Sequence, residues 1–530
     1  MKRYLATAIL MLGTFWAAAQ NINSTVDVSN DYSASFSATN KQDIQMSSPD
    51  SLRQFRKDFD YSVFENPYKG SYEFVSDYVT PRDSNRFYRG RNLYLNAGAG
   101  WTMHPELQAV YSPVFRNSPN LQLSIFQDGK GYYGKYRGSD ADFLNVSEKF
   151  GAKLHAAVKG MNFKAGLEYK SLFAGQTGNV GMMNSARGEV GFYTVDSKFL
   201  DVKADFNGHY AWLPNAEREA YFNANLTVEP KLRKAFRFPV DIEAGGAPLQ
   251  SVYNFALKPH VRFYWGPVDL TAGVRLAYVN NPFGQDSNPF RLSPDVHANL
   301  SLLKGALTIF ADVDGRSSVY SALDMLDHNH FITAPRSGVI DEKIRFQGGL
   351  RGRISSHFHY DLKGGYSIFG STPLDVSPLT SDFSGTSMGD AAYNLIFADA
   401  SVIWRSERVD ANLGFHYRRT NLDGNFRFFD LPLISGSAQV IFNWERRIFV
   451  AVSLDASAQR VWTVLDAGAT PVLRDELPQY FDLGAYAEYK FTRAFSVWLK
   501  GQNLLNQDIR RIPVYSEPGI YGTGGIKLNF

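Results

Sequence analysis

The sequence predicts an all-β fold: a transmembrane antiparallel β-barrel of about 22 strands behind a short N-terminal periplasmic segment. Three observations predict it. From Asn92 onward apolar and polar residues alternate with period two, the connections between these runs alternate between tight and long, and the last run is apolar on one face and stops on Phe530. Period-two alternation puts successive side chains on opposite faces of a strand, so each run has one greasy side and one wet side.

The first residues, MKRYLATAILMLGTFWAAAQ, place Lys2 and Arg3 before an apolar run from Tyr4 to Trp16 and then Ala17, Ala18 and Ala19. That is the layout of a secretory signal ending in an A-x-A cleavage site, so residues 1–19 are expected to leave. The run is too short for the ~20 residues of a spanning helix, and no later stretch is longer and free of charge. The chain contains no cysteine, which excludes a lipidated cysteine, a disulfide framework and a thiolate metal site. Net charge falls from +3 to +1 once Lys2 and Arg3 are removed (53 basic minus 52 acidic residues), so bulk charge points to no nucleic acid or other polyanion. Aromatic content of 15% with 44 glycines suits many short, half-apolar strands better than one large core.

Residues 20–91 are rich in Ser, Asn and Asp and carry neither helical nor strand periodicity, and the expectation is an extended or partly disordered periplasmic segment. Residues 92–530 are the barrel. In PVDLTAGVRLAYV, Val268, Leu270, Ala272, Val274, Leu276 and Tyr278 share one face, and Asp269, Thr271, Gly273 and Arg275 the other. RVDANLGFHYR and HFHYDLKGGYSI repeat the pattern, with charge on the polar faces. Segments of ~10 residues are long enough to cross a bilayer when tilted. Reading back from Phe530, tight connections at FTRAF, ERRI, RSER, ISSH and LKG alternate with long ones, while near WTMHPEL the expected long loop is missing. A membrane barrel segregates short turns to one side and long loops to the other, whereas a sandwich has no reason to. With an even strand count both chain ends lie in the periplasm. Trp101, Tyr278, Trp404, Trp444 and Tyr489 are placed on outward faces near strand ends, where interfacial girdles form.

On the last strand Ile526, Leu528 and Phe530 share the lipid face, which closes the barrel without an unpaired edge. This strand resembles the signal read by the outer-membrane barrel assembly machinery. The stretch FSVWLKGQNLLNQDIRRIPVYSEPGIYGTGGIKLNF also resembles the end of a TonB-dependent receptor. The match is an aromatic-rich strand running into a Gly-x-Asn-Leu-Leu-Asn turn (Gly501 to Asn506), then Tyr515, Pro518 and Gly519, then a Gly-rich strand ending in Phe. The resemblance implies a barrel of about 22 strands, an outer-membrane location, transport, and a periplasmic partner of TonB type. It covers the barrel and not the plug domain of that family, because residues 20–91 lack a compact α/β pattern. Only STVDVS, Ser24 to Ser29, faintly resembles a coupling box.

Candidate solute contacts are the inward cations Arg275, Arg345, Arg351, Arg353, His357, His359, Lys363 and Arg408. A row of cations lining a pore favours anionic solutes. The alternative is a charge-balanced wall in which they pair with acids such as Asp361, Asp399, Asp410, Asp455, Glu445 and Glu488. Two strings suggest chemistry without its context. GTSMG (Gly385 to Gly389) matches a nucleophile elbow, which requires a strand, a turn and then a helix; a loop of small residues is expected instead. DMLDHNH offers Asp324, Asp327, His328 and His330 in an outer loop as metal-ligand types.

The resulting expectation is a non-enzymatic barrel without cofactor, moving or gating a solute across the outer membrane, with membrane lipid and the assembly machinery as partners. The alternative is a platform for assembly or surface display that docks a periplasmic partner through FDYSVFENPY in the N-terminal segment. A plugless lumen this wide leaks. Either residues 20–91 fold inward, or loops such as 314–343 and 369–391 cover the mouth, or a partner fills it.

Overall fold

The computed structural model describes residues 92–530 apart from short stretches, chiefly 136–141, 232–235, 283–287, 379–386, 423–430, 466–470 and 512–515. The signal and the 20–91 segment, with STVDVS and FDYSVFENPY, lie outside the described residues.

Strands β1 (Leu93–Gly100), β2 (Glu106–Tyr111), β3 (Leu121–Lys135), β4 (Asp142–Val158), β5 (Met161–Gln176), β6 (Asn179–Thr194), β7 (Leu200–Trp212) and β8 (Arg218–Pro230) pair in chain order. Next, β9 (Phe236–Arg237) and β10 (Val240–Ala247) make one wall strand interrupted at Phe238 and Pro239, since both pair with β11 (Val252–Trp265). The wall continues through β12 (Val268–Asn280), β13 (Phe290–Ser301), β14 (Thr308–Tyr320), β15 (Gly338–Arg353), β16 (Phe358–Pro378) and β17 (Ser387–Arg405). It then runs through β18 (Val409–Leu422), β19 (Ile434–Trp444) and β20 (Ile448–Ala458). A hairpin of β21 (Arg460–Leu465) and β22 (Pro471–Leu477) stands outside the wall and touches the end of β16, while β20 pairs onward with β23 (Tyr480–Lys490). Finally β24 (Phe495–Gln502) pairs with β25 (Tyr521–Asn529), and β25 pairs with β1. Of 25 strands, two form the outer hairpin and two share one wall position, which leaves a closed antiparallel barrel of 22.

Closure is made by apolar partners, Leu95 opposite Leu528 and Ala97 opposite Ile526, and finished by Leu93 and Phe530 exchanging backbone hydrogen bonds of 2.9 and 2.8 Å. Among the described residues no wall strand is left with an unpaired edge facing lipid. The end at which Leu93 and Phe530 meet also holds the tight turns 159–160, 266–267, 354–357, 406–408, 445–447 and 491–494. In the first of them Lys159 (φ 37°) and Gly160 (φ 84°) both adopt the left-handed conformation that matches the twist of a two-residue hairpin. The opposite end carries the long connections 321–337, 459–479 and 503–520, and the β1–β2 connection there is short, as the sequence suggests.

Outward faces are apolar where lipid is expected. Along β12, Val274, Leu276 and Tyr278 are exposed to the exterior while Arg275, Ala277 and Val279 are buried on the inner side. Trp101, Tyr278, Trp404, Trp444 and Tyr489 are all exposed outward aromatics, as a girdle requires. Two expectations change. The 314–343 stretch is not a free loop: it contains the ends of β14 and β15 and a short helix α1 (Ala322–His328) that holds Asp324, Asp327 and His328, because Leu323, Met325 and Leu326 have an apolar surface to bury against. Ser387 likewise opens β17 instead of sitting in a loop, and the strand that follows it excludes the elbow geometry.

Candidate functional site: the lumen wall and its mouth

The inward faces of β8 and β10 to β14 enclose a polar cavity of about 710 Å³. Its wall is a chain of carboxylates and imidazoles in which each charge has a counterpart. His260 on β11 bonds Asp295 on β13 (2.9 Å) and lies 3.4 Å from Asp241 on β10. His297 bridges Asp295 (2.7 Å) and Asp312 on β14 (2.9 Å), and Gln347 donates to the other Asp312 oxygen (2.7 Å). Lys258 reaches Glu243 (2.6 Å), and Arg262 grips Asp269 through two bonds of 3.3 and 2.9 Å. Amides and hydroxyls of Asn223, Asn225, Thr227, Asn254, Thr271 and Asn299 fill the intervals. These groups stand on every second residue of separate strands, so barrel closure is what brings them together.

The expected cations fall into three groups. Arg345 donates twice to Asp314, directly opposite it on β14, at 3.0 and 2.9 Å. Arg351 donates to Asn299 (2.5 Å) and lies over the Phe310 ring, while Arg275 is buried (1% exposed) and donates to Ser317. These three belong to the polar wall around β12 to β15. Lys363 lies 3.9 Å from Asp399, on which His416 (2.6 Å) and Arg418 (2.5 Å) converge, and His359 stands on the same strand as Lys363. Arg353 is the last residue of β15, and His357 and Arg408 sit in the tight turns at the closure end. The His357 ring lies 6.0 Å from the girdle residue Trp404. His357 and Arg408 therefore do not stand on the lumen wall, because the strands end before reaching them.

Of the expected cations, Arg345 and Lys363 stand in cross-strand ion pairs, while Arg275 and Arg351 donate to neutral side chains of the wall. Of the acids named from sequence, Asp399 pairs with Lys363, and Glu488 pairs with a different cation, Lys527 (2.7 Å). Asp269, Asp295, Asp312, Asp314 and Asp341 were not foreseen, since their partners lie two or more strands away or depend on register.

The mouth is narrowed by α1. Leu323, Met325 and Leu326 pack with Met183 on β6, Ala211 on β7 and Leu213 beside it. Asp327 pairs with Lys170 on β5, and Asp324 lies 3.6 Å from Arg187 on β6, so these carboxylates are engaged by the wall. Glu219 at the head of β8 is fully buried. It accepts the backbone N–H groups of Ala322 (2.8 Å) and Leu323 (3.0 Å) and the Ser337 hydroxyl, and bonds His209 (3.1 Å). At the seam, His104 in the β1–β2 connection stacks on Tyr521 (4.5 Å) beside Tyr132. Burial among these rings pushes its imidazole down to about 4.

A closed 22-strand antiparallel barrel with a charge-paired lumen, an apolar exterior and long loops on one side has the architecture of an outer-membrane β-barrel. The chain has the fold of the TonB-dependent receptor barrel. Its structural neighbours include the FrpB iron transporter from Neisseria meningitidis (10% identity, TM-score 0.61, 84% of this chain and 83% of that one). The siderophore receptor PiuA from Acinetobacter baumannii (9%, 0.59, 83% and 82%) and the copper transporter OprC (12%, 0.57, 84% and 81%) are also similar. At these identities the likeness is one of fold. No protein-family model and no curated protein sequence matches the chain.

Proposed function

We propose that this protein is an outer-membrane transport barrel that moves or gates a solute across the membrane, with no catalytic role. The observation that carries the reading is the wide lumen lined by polar and charged side chains behind a lipid-facing exterior. A surface-display platform has no use for a built polar interior, whereas a transport path does. Because cations and carboxylates alternate along the wall, the reading favours a polar solute over a simple anion. Residues 20–91 lead into Asn92, at the closure end of the lumen, and in this reading they enter it or meet a TonB-type periplasmic partner.

The test is planar-bilayer conductance and solute flux of the mature chain against one lacking residues 20–91. Higher conductance in the deletion supports a built-in plug; absence of flux in both sinks the transport reading. Ile526, Leu528 and Phe530 are proposed as the assembly signal. Replacing Phe530 by Ser is expected to cut the folded, membrane-inserted fraction several-fold, as measured by heat-dependent gel mobility.

A further inference from the structure

Although β13 and β14 both continue, their ladder stops at Val296 opposite Val313. The next positions in register would set Asp295 against Asp314 and Pro294 against Gly315. Odd-numbered β13 residues turn their hydrogen bonds toward β12, as the Ser301 N–H to Pro267 bond (2.8 Å) shows at the end of that ladder. The N–H that Pro294 lacks is therefore one that would have faced β14. A proline in a strand is tolerated only where no partner needs its donor.

Gly315 is the matching break on β14. The β14–β15 register shifts between Asp314 and Arg316, and a Cβ on Gly315 would lie 2.4 Å from Ser293 Oγ and 2.7 Å from the Lys343 carbonyl. Only glycine lets β14 pass so close to β13. A second irregularity on β15, between Asp341 and Ile344, bends the returning strand.

Beyond these breaks the hairpin lies on the inner face of its own barrel. Asn254 on β11 donates to the Ser317 carbonyl (2.9 Å), and Val319 is buried with Ala247, Val252 and Val279. Further on, α1 reaches β8, β7, β6 and finally β5, eight wall positions from β14. The far contact joins the apolar cluster of Leu323, Met325 and Leu326 with Met183, Ala211 and Leu213 to the Glu219 carboxylate, which takes the first backbone amides of α1. His209, a wall residue, would remain as a partner for that carboxylate if α1 left, so opening does not strand an isolated buried charge, the costly case.

We propose that the inward-folded end of β14 with α1, Gly315–His328, and the returning residues 337–341 are a resident internal gate, hinged at the Pro294 and Gly315 break and latched by Glu219 onto the far wall. It rests on the transport reading for its purpose, so its test separates movement of the tip from passage of solute. The absence of native cysteines allows unambiguous labelling. Spin labels are attached to His328→Cys on α1 and Glu217→Cys at the rim, in the full chain reconstituted in lipid.

The latched form is expected to give one short distance. Glu219→Ala removes the acceptor of two backbone amides, and is expected to add a longer distance and raise the open fraction about tenfold, with a parallel rise in ionic conductance. Leu326→Ala, on the gate and not the wall, should act in the same direction while leaving barrel folding intact. An unchanged distance in both variants overturns the latch. A lengthened distance with unchanged conductance overturns the gate. Gated conductance without solute flux in any variant would leave the gate standing and overturn the transport reading alone.

Discussion

Two neighbouring stretches of wall behave differently. Between β16 and β17 the ladder runs from Phe358 opposite Trp404 to Val376 opposite Ser387, with one shift near Phe369. These strands have 21 and 19 residues, about twice what a bilayer crossing needs, and they continue beyond it as an upright sheet. Between β13 and β14 the ladder covers six residue pairs and ends, and the rest of β14 turns into the lumen. Both stretches alternate apolar and polar residues. Both contain a glycine and a proline, Gly315 and Pro294 in one and Gly370 and Pro373 in the other; what differs is that Pro294 lacks the donor facing β14, directly opposite Gly315, and that an apolar landing surface is present at Met183 and Ala211. The proposed hinge thus rests on the loss of one ladder donor and one side chain.

Breaking the contact between α1 and its landing surface gives the largest expected effect. Leu323→Asp places an unpaired charge in a fully buried site, at a cost of about 3 kcal/mol or more. The 321–337 connection should become protease-sensitive while the β16–β17 sheet stays protected, and equal cleavage of both would refute the independence of the two regions. A smaller effect is expected from Asp399→Asn on the upright wall. It removes the carboxylate shared by Lys363, His416 and Arg418, so reversal-potential measurements should show a shift toward anions, with a stability change of only about 1 kcal/mol. Pro294→Thr restores a donor on the β14 side of β13, worth about 1 kcal/mol if the ladder lengthens. Hydrogen exchange at Gly315 should slow, and unchanged exchange would mean that glycine alone sets the break.

The smallest effect is one of pH. His104 titrates at about 4 in the folded barrel against an ordinary value of 6.5, so its neutral form is the one that folding favours. Its contribution is fully present above pH 6.5 and is lost as pH falls from there toward 4, because the unfolded chain takes up the proton first. Thermal unfolding should therefore drop by a few degrees more across that window in the native chain than in His104→Phe, roughly what a kcal/mol change produces.

Much of this was legible from residues alone. Alternation in segments such as Val268 to Tyr278 identifies strands and their lipid face, since period two follows from strand geometry whatever the neighbours are. Tight and long connections fix the up-and-down order, and Ile526, Leu528 and Phe530 mark the closing strand. The aromatic girdle followed from the same alternation. Site residues were less legible. His260, Asp295, His297 and Asp312 each look like ordinary polar-phase residues, and only register makes them one chain of bonds. His357 and Arg408 fit the alternation but lie past the ends of their strands.

The sequence by itself determined the fold class, the lipid-facing pattern, the side on which the long connections fall and the closing strand, because each depends on local periodicity or on a turn. Tertiary structure alone decided which charges pair and where the β14–β15 hairpin goes. Cross-strand partners lie tens to hundreds of residues apart in sequence, and their distances are set by closure of the whole ring. Pro294 and Gly315 are visible in the sequence as two unremarkable breakers 21 residues apart. That they stand opposite each other, and that Glu219 waits across the lumen for the strand they release, is a property of the closed barrel.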